Sequence, residues 1–222
     1  MLGKTLILGG GSIDSAFAAE YIHGYSFDTI ACADSGLDTA YALSLPVDYI
    51  MGDFDSVAPE VLSYFQNLDE DKRPEFVSYP PEKDDTDMQL VLEFVLENAP
   101  SEVVILGATG KRLDHFLANI QILMLGLRRG IPVSLVDAHN RICLMDSVWE
   151  QSRANAFGKY ISFLPFTNEV KGITLSGFKY PLREAKMTQG NSLGVSNEFA
   201  KDVTTVKASV REGILIVIES KD

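Results

Sequence analysis

The first 140 residues alternate between short apolar runs and segments whose apolar residues recur with helical spacing. The apolar runs are KTLILGG, DTIACAD, VDYIMGD, EFVSYP, SEVVILGATG and IPVSLVDA. The segments between them are SAFAAEYIHG, LDTAYALSL, PEVLSYFQNL, DMQLVLEFVLEN and LDHFLANIQILMLGLRRG. Apolar strands that alternate with amphipathic helices are typical of a parallel sheet with helices on both faces. The pattern predicts an α/β domain over residues 1–140, with a mostly parallel, Rossmann-like six-stranded sheet and five helices.

The pattern changes after residue 140, where short β-branched runs are separated by turn residues. These runs are RICLMDS, YISFLPFT, VKGITLSG, TTVKASV and GILIVIES. They predict a smaller all-β sandwich domain over residues 141–222, with no helix. The last two runs are separated by REG, and we expect them to form a β-hairpin.

Composition argues against several classes of partner. The 222 residues are 46% hydrophobic, and 19 Lys and Arg face 31 Asp and Glu, for a net charge of -12. Such a chain is poorly suited to nucleic acid or to an anionic membrane surface, and no run is long enough to span a membrane. Cys32 and Cys143 lie in apolar runs, and the N-terminal apolar run is too short for a signal peptide. We expect a cytoplasmic protein without a disulfide framework.

Glycines, carboxylates and cations follow five consecutive predicted strands. In an open parallel sheet, ligands bind beyond the carboxyl ends of the strands. The residues at these ends include Gly9, Gly10, Gly11 and Ser12; Asp34 and Ser35; Asp53 and Asp55; Lys83, Asp84, Thr86 and Asp87; and Gly107, Thr109, Lys111, Arg112, Asp114 and His115. Turn chemistry explains some of them but not the concentration of aspartates, so the sequence predicts a site at this edge.

Asp53 and Asp55 are two residues apart after the third strand. In an extended backbone their side chains would face the same way, and two charges ~4 Å apart repel by roughly 4 kcal/mol at an effective dielectric near 20. An acidic surface turn is one interpretation. The other groups them with Asp84 and Asp87 at adjacent strand ends, in an oxygen-rich cluster suited to Mg²⁺.

The other strand-end motifs are weaker on their own. GGGS is not the G-x-G-x-x-G fingerprint, and GATGKR is not a Walker A motif. Lys111 and Arg112 beside a helix start suit an anion or a solvated basic turn, and His115 could simply be a helix histidine. Either Thr86 or Asp84 could cap the helix that follows.

Five segments in order, VDYIMGDFDS, YPPEKDDTDMQL, GATGKRLDH, GFKYPL and SLGVSNEF, resemble the thiamine pyrophosphokinase family. The resemblance runs from the first strand to the last. It implies transfer of pyrophosphate from ATP to thiamine, with Mg²⁺. It also implies a homodimer with the active site between subunits, thiamine lying between the α/β domain of one and the β domain of the other.

The resemblance implies a role for each matching residue. The catalytic set is Asp53, Asp55, Asp84, Asp87, Arg112, Asp114 and His115, of which Asp53, Asp55 and Asp87 hold the metal. The residues assigned to ATP are Asp34, Ser35, Lys83, Thr86, Gly107, Thr109 and Arg112. In the β domain, Tyr180 lies beside the substrate ring, while Ser196 and Asn197 meet the aminopyrimidine.

Three other functions are compatible with part of the pattern. A pyrophosphokinase for another hydroxymethyl heterocycle, such as a pterin alcohol, would share the aspartates. A metal-dependent phosphohydrolase would share them too, but commonly uses more histidines than His115 alone. A non-catalytic thiamine-binding regulator would keep Ser196 and Asn197 with little use for four aspartates.

Overall fold

The computed structural model describes residues 1–78, 85–110 and 112–222. Lys83, Asp84 and Lys111, which the sequence analysis singled out, lie outside these ranges. The chain divides into two compact units, Met1–Ala138 and His139–Asp222. Within the described ranges, no helix has the length and apolar character needed to span a membrane.

The described part of the first unit contains six strands and five helices, which confirms the α/β prediction. The strands are β1 (Gly3–Leu8), β2 (Thr29–Ala33), β3 (Tyr49–Gly52), β4 (Glu75–Ser78), β5 (Pro100–Leu106) and β6 (Val133–Val136). The helices are α1 (Ser15–Tyr25), α2 (Gly36–Ala42), α3 (Pro59–Gln66), α4 (Asp87–Glu97) and α5 (Leu113–Arg129).

These strands form a parallel array in the order β4-β3-β2-β1-β5-β6. Leu8 of β1 lies beside Cys32 of β2 on one side and Leu106 of β5 on the other. Chain order therefore reverses between β1 and β5. A crevice opens beyond the carboxyl ends of the strands at such a reversal, and ligands bind there.

Burial on both faces explains why these strands are almost wholly apolar. All five residues of β2 are buried, as are the last four of β1 and of β5. Helix α4 buries one face, which is formed by two adjacent pairs of residues one turn apart, Val91 and Leu92, and Val95 and Leu96. Each such side chain contributes about 1.5–3 kcal/mol when fully buried. This core fixes the strand ends that carry the candidate site.

The second unit is a sandwich of two antiparallel sheets. Its strands are β7 (Asn140–Met145), β8 (Val148–Ser152), β9 (Tyr160–Pro165), β10 (Glu169–Ser176), β11 (Leu182–Thr188), β12 (Thr205–Ser209) and β13 (Leu215–Ser220). Neighbours run β7-β13-β9 in one sheet and β11-β10-β12-β8 in the other. The core lies between them, where Trp149 of β8 packs edge-on against Phe163 of β9 at 5.9 Å between ring centroids.

Two features of this unit differ from the sequence prediction. Strands β8 and β11 were not predicted; they are the two edge strands of the four-stranded sheet, where polar residues are tolerated. A short 3₁₀ helix, Arg153–Asn155, follows β8. The expected hairpin of β12 and β13 is wrong, because β12 pairs with β8 and β10 whereas β13 pairs with β7 and β9. The segment between them crosses from one sheet to the other, with Gly213 at a φ of 95°.

Candidate active site

A cavity of about 430 Å³ lies in the first unit, where the strand order reverses. Its lining consists of residues 10–12, 33–35, 56, 86–88, 107–108, 110, 112, 115 and 118–119. It thus gathers the loops after β1, β2 and β5 with the first turns of α4 and α5. Seven predicted site residues line it, namely Asp34, Ser35, Thr86, Asp87, Gly107, Arg112 and His115. Asp53, Asp55, Thr109 and Asp114 are outside the lining.

The loops after β1 and β5 touch through their main chains. The Gly11 amide donates to the Gly107 carbonyl oxygen at 3.0 Å. A Cβ atom at Gly11 would lie 2.3 Å from that same oxygen, and Gly107 has a left-handed φ of 75°. Only glycine fits at both positions, and the wall they form is polypeptide backbone. Backbone N–H groups in such loops are suited to phosphate oxygens.

Asp34 is held in an unusual backbone conformation at the end of β2. Its φ is 45°, its amide donates to Met51 O at 3.1 Å, and its carbonyl accepts from Leu37 N at 3.0 Å. A Cβ atom at Gly52 would lie 1.9 Å from Oδ1 of Asp34, so glycine at that position makes room for the carboxylate. Ser35 follows at the cavity wall.

Asp53 and Asp55 do not lie on an extended segment, so the extended backbone predicted for them is wrong. Strand β3 ends at Gly52, and Phe54 has a left-handed φ of 64°. The Asp55 amide donates to Oδ1 of Asp53 at 3.2 Å, which closes a tight turn. The two carboxylates still interact: the Asp53 charge raises the pKa of Asp55 most, followed by a hydrogen bond to Asp53, desolvation and the charge of Asp87.

The three aspartates therefore form an acidic group without a preformed metal cage. In the described residues, no set of three or more His, Cys, Asp or Glu side chains has an arrangement that would hold a metal ion. Carboxylate oxygens are nevertheless the donors that Mg²⁺ takes, and Mg²⁺ commonly uses only one or two of them together with substrate phosphates. The raised pKa of Asp55 shows a negative potential that a cation would offset.

Thr86 is the N-cap of α4, one of the two alternatives predicted. Its side-chain oxygen accepts from the Gln89 amide at 3.3 Å, and Asp87 occupies the first turn. A carboxylate there interacts favourably with the helix dipole. The cap fixes the position at which Thr86, Asp87 and Met88 enter the cavity wall.

At the start of α5, Arg112 and Asp114 form a two-pronged ion pair. Nε and Nη2 of Arg112 donate to the two carboxylate oxygens at 3.2 Å and 2.6 Å. This hydrogen bonding is the main cause that lowers the pKa of Asp114 to about 2. The side chains are 70% and 65% exposed, so the pair adds little to stability. The guanidinium has five N–H groups, and the rest can bind an anion at the cavity.

Sequence reasoning missed Asn119, which lies deep in the same wall. Its Nδ2 donates to the Ala108 carbonyl oxygen at 2.9 Å, and the residue is buried. It occurs four positions after His115 and so shares its helix face. That spacing was the available indication. Met88 was missed too, because an apolar side chain carries no comparable signal.

The predicted residues of the second unit lie on two segments joined by hydrogen bonds, one before β11 and one after it. Tyr180 is 59% exposed, whereas Asn197 is only 3% exposed. The side chain of Asn197 hydrogen-bonds to both the amide and the carbonyl oxygen of Tyr180. Ser196 is exposed, with a left-handed φ of 58°, and its amide donates to Oγ of Ser162 at 3.0 Å. The structure thus gives the three residues different surroundings.

Two family models match the chain in succession. Residues 25–135 match the thiamin pyrophosphokinase catalytic domain, and residues 150–215 match the thiamin pyrophosphokinase vitamin B1 binding domain. A protein named thiamine pyrophosphokinase from Bacillus subtilis (strain 168) is 36% identical over 199 residues, which is 90% of this chain and 86% of that protein.

Solved structures are similar over nearly the whole chain. The crystal structure of thiamine pyrophosphokinase from Bacillus subtilis superposes with a TM-score of 0.86 and 32% identity, covering 99% of each chain. That of thiamin pyrophosphokinase from Geobacillus thermodenitrificans has a TM-score of 0.83 and 30% identity, covering 99% of this chain and 98% of the other.

Proposed function

This chain belongs to the thiamin pyrophosphokinase family, and on that premise we propose that it transfers pyrophosphate from ATP to thiamine. The products are thiamine diphosphate and AMP. The observation that carries the proposal is the cavity between β1 and β5, whose wall combines glycine backbone with Arg112 and His115. An acidic group that suits a divalent cation accompanies it.

ATP occupies this cavity with its phosphates against the loops after β1 and β5. Five of the residues assigned to ATP line it, namely Asp34, Ser35, Thr86, Gly107 and Arg112. Lys83 lies outside the described residues and Thr109 outside the lining, so their part in binding rests on the family resemblance. The α/β unit is thus the nucleotide- and metal-binding catalytic domain.

The thiamine hydroxyl attacks the β-phosphorus in line, its new O–P bond forms, and the bond from that phosphorus to the AMP oxygen breaks. Such transfers depend on positioning and on neutralising charge on the phosphoryl oxygens. Arg112, in the cavity lining, neutralises part of that negative charge. Asp53, Asp55 and Asp87 would hold Mg²⁺, which would neutralise the remaining negative charge. A carboxylate of the catalytic set accepts the hydroxyl proton.

Thiamine binds through the β unit, where the exposed ring of Tyr180 stacks on the substrate ring and Ser196 presents its hydroxyl. The enzyme is a homodimer with the active site between subunits. Exposed apolar side chains beside the candidate residues of each unit support this, because large exposed apolar groups mark interaction surfaces. They are Leu113 and Leu117 in the first unit and Leu193 and Val195 in the second.

The enzyme works in the cytoplasm. Cys32 and Cys143 are both free thiols, which fits a reducing compartment.

The deciding experiment measures AMP release from MgATP with and without thiamine and then the mass of the product. The proposal expects thiamine-dependent AMP and a product heavier than thiamine by one pyrophosphoryl group. Phosphate release without thiamine would instead indicate a hydrolase. Turnover with a pterin alcohol but not thiamine would reassign the acceptor. Saturable thiamine binding without turnover would indicate a binding protein.

A further inference from the structure

We infer that Asn197 serves the reaction as a positioning residue, which holds Tyr180 in place rather than contacting thiamine itself. The inference rests on the proposed function and changes the role that the family resemblance implies for this residue. Oδ1 of Asn197 accepts from the Tyr180 amide at 3.0 Å, and Nδ2 donates to the Tyr180 carbonyl oxygen at 2.8 Å. One side-chain amide therefore pairs with both polar groups of one backbone residue.

The remaining bonding capacity of this side chain is small. Oδ1 accepts a second bond, from the Glu198 amide at 3.0 Å, which uses both of its lone pairs. Two N–H donors around one atom and a carbonyl oxygen beside the other also fix which atom is oxygen and which is nitrogen. Only one N–H remains, on a residue that is 3% exposed. A substrate ring has almost no access to it.

The backbone of Asn197 is anchored to the sandwich core. Its amide donates to the Ile161 carbonyl oxygen at 3.1 Å and its carbonyl accepts from the Ile161 amide at 2.8 Å. Ile161 belongs to β9 and is completely buried. Asn197 thus connects the core of the unit to the loop that presents Tyr180, and the connection runs through a side chain.

Tyr180 depends on this connection more than a strand residue would. It lies before the start of β11, and both of its backbone hydrogen bonds in the described structure go to Asn197. Tyr180 is 59% exposed, so that its ring can stack on a planar ligand, and the Lys179 ammonium lies 5.4 Å from the ring centroid. Tyr180 and the exposed Ser196 therefore contact the substrate. Asn197 fixes the position of the Tyr180 ring through the backbone of that residue.

A double-mutant cycle distinguishes an Asn197 that positions Tyr180 from an Asn197 that contacts thiamine itself. We expect Asn197→Ala and Tyr180→Ala each to raise KM for thiamine about tenfold, with KM for ATP changed by less than about twofold. If Asn197 acts through Tyr180, the double variant should also show about a tenfold increase, because the second change removes nothing further. An increase of about a hundredfold in the double variant would mean independent effects and would overturn the inference.

Asn191→Ala is the matched control. Oδ1 of Asn191 also accepts a backbone bond, from the Leu193 amide at 2.7 Å, but makes none to Tyr180. We expect its KM for thiamine to stay within about twofold of the wild type. Should Asn197→Ala fail to fold, Asn197→Asp gives the same cycle, because its carboxylate can keep the acceptor bonds of Oδ1 and replaces the bond to the Tyr180 carbonyl with oxygen–oxygen repulsion.

Hydrogen exchange of the Tyr180 amide gives a readout that needs no turnover. Its exchange should accelerate about tenfold or more in Asn197→Ala, while the Ile161 amide stays protected. Unchanged exchange at Tyr180 would overturn the holding role. If the wild type made no thiamine diphosphate, the proposed function and the role in the reaction would both fall, and exchange would still decide whether Asn197 holds Tyr180.

Discussion

The two units build their candidate sites from different parts of the polypeptide. In the α/β unit, main chain forms the wall: a Cβ atom at Gly11 would meet the Gly107 carbonyl oxygen, and one at Gly107 would meet the Gly9 carbonyl oxygen. In the β unit, an exposed ring is held in place by a buried side-chain amide. Any side chain added to the backbone wall would clash with main-chain atoms. A loop held by one side chain should instead lose stability gradually, as individual hydrogen bonds of that side chain are removed. Substitutions in the two units should therefore fail in different ways.

The largest effect on turnover should come from Asp55→Asn in the α/β unit. Asp55→Asn removes a carboxylate proposed to hold Mg²⁺, and the lost neutralisation of phosphoryl charge should lower kcat by about 10²–10³. The pKa of Asp55 is raised, first by the Asp53 charge, so its ionised form is destabilised in the folded protein. The neutral amide relieves this repulsion, and the Tm at pH 7 should not fall. Thermal melts and steady-state kinetics, with exposed Asp71→Asn as control, measure both quantities. A variant with full activity would remove Asp55 from the catalytic set.

Mixing two inactive variants tests whether the two sites work together. Asp55→Asn and Tyr180→Ala are each expected to lose most activity at low thiamine. If the active site lies between subunits, exchange of subunits should restore activity above that of either variant, because the mixed dimer contains one intact site. The measurement is activity after co-refolding, with each variant refolded alone as the control. No recovery, although sedimentation shows dimers, would place each complete site in one subunit.

Gly11→Ala should break the backbone wall. The added Cβ would lie 2.3 Å from the Gly107 carbonyl oxygen, so one of the two loops must move. We expect KM for ATP to rise about tenfold, since a shift of the wall misplaces the phosphates. Gly24→Ala in α1 is the matched control, because a Cβ there meets nothing within 4 Å. It should leave KM unchanged and stabilise the helix by about 0.5–1 kcal/mol. An unchanged KM for ATP in Gly11→Ala would argue against phosphate binding at this wall.

The smallest expected effect concerns the reactivity of the two thiols and not the turnover of the enzyme. Burial raises the pKa of Cys143 to about 12 and that of Cys32 still further. Unfolded thiols ionise near pH 8.5, so above about that pH the unfolded chain loses protons first and stability should fall as pH rises. At pH 8 both thiols of the native protein should react only slowly with an aromatic disulfide, and the partly buried Cys143 should react before the fully buried Cys32. Rapid labelling of both would contradict this burial.

The elements of the α/β unit were predictable because burial on both faces leaves strands of continuous apolar residues. The β unit gave a weaker pattern. Strand β11 buries only Met187, and β8 has no fully buried residue, since both are edge strands. The paired appearance of β12 and β13 was misleading because alternation shows that a strand exists but not which sheet it joins.

Most of the cavity wall was likewise predictable, because parallel strands bring their carboxyl ends to one edge. The turn at Phe54 was not, since a left-handed φ on an aromatic residue leaves no mark in the sequence. The role of Asn197 was hidden for a related reason. The residue type shows which hydrogen bonds an asparagine amide can make. It does not show that both Oδ1 and Nδ2 of Asn197 bond to the backbone of Tyr180.

The bond from Asn119 to Ala108 closes a ring of chain at the edge of the cavity. The ring contains the end of the β5 loop and the first turns of the 17-residue helix α5. A ring of fixed circumference cannot absorb an extra residue without either breaking its closing bond or rotating the helix. Natural variants and designed relatives with altered loop lengths should therefore place their insertions elsewhere.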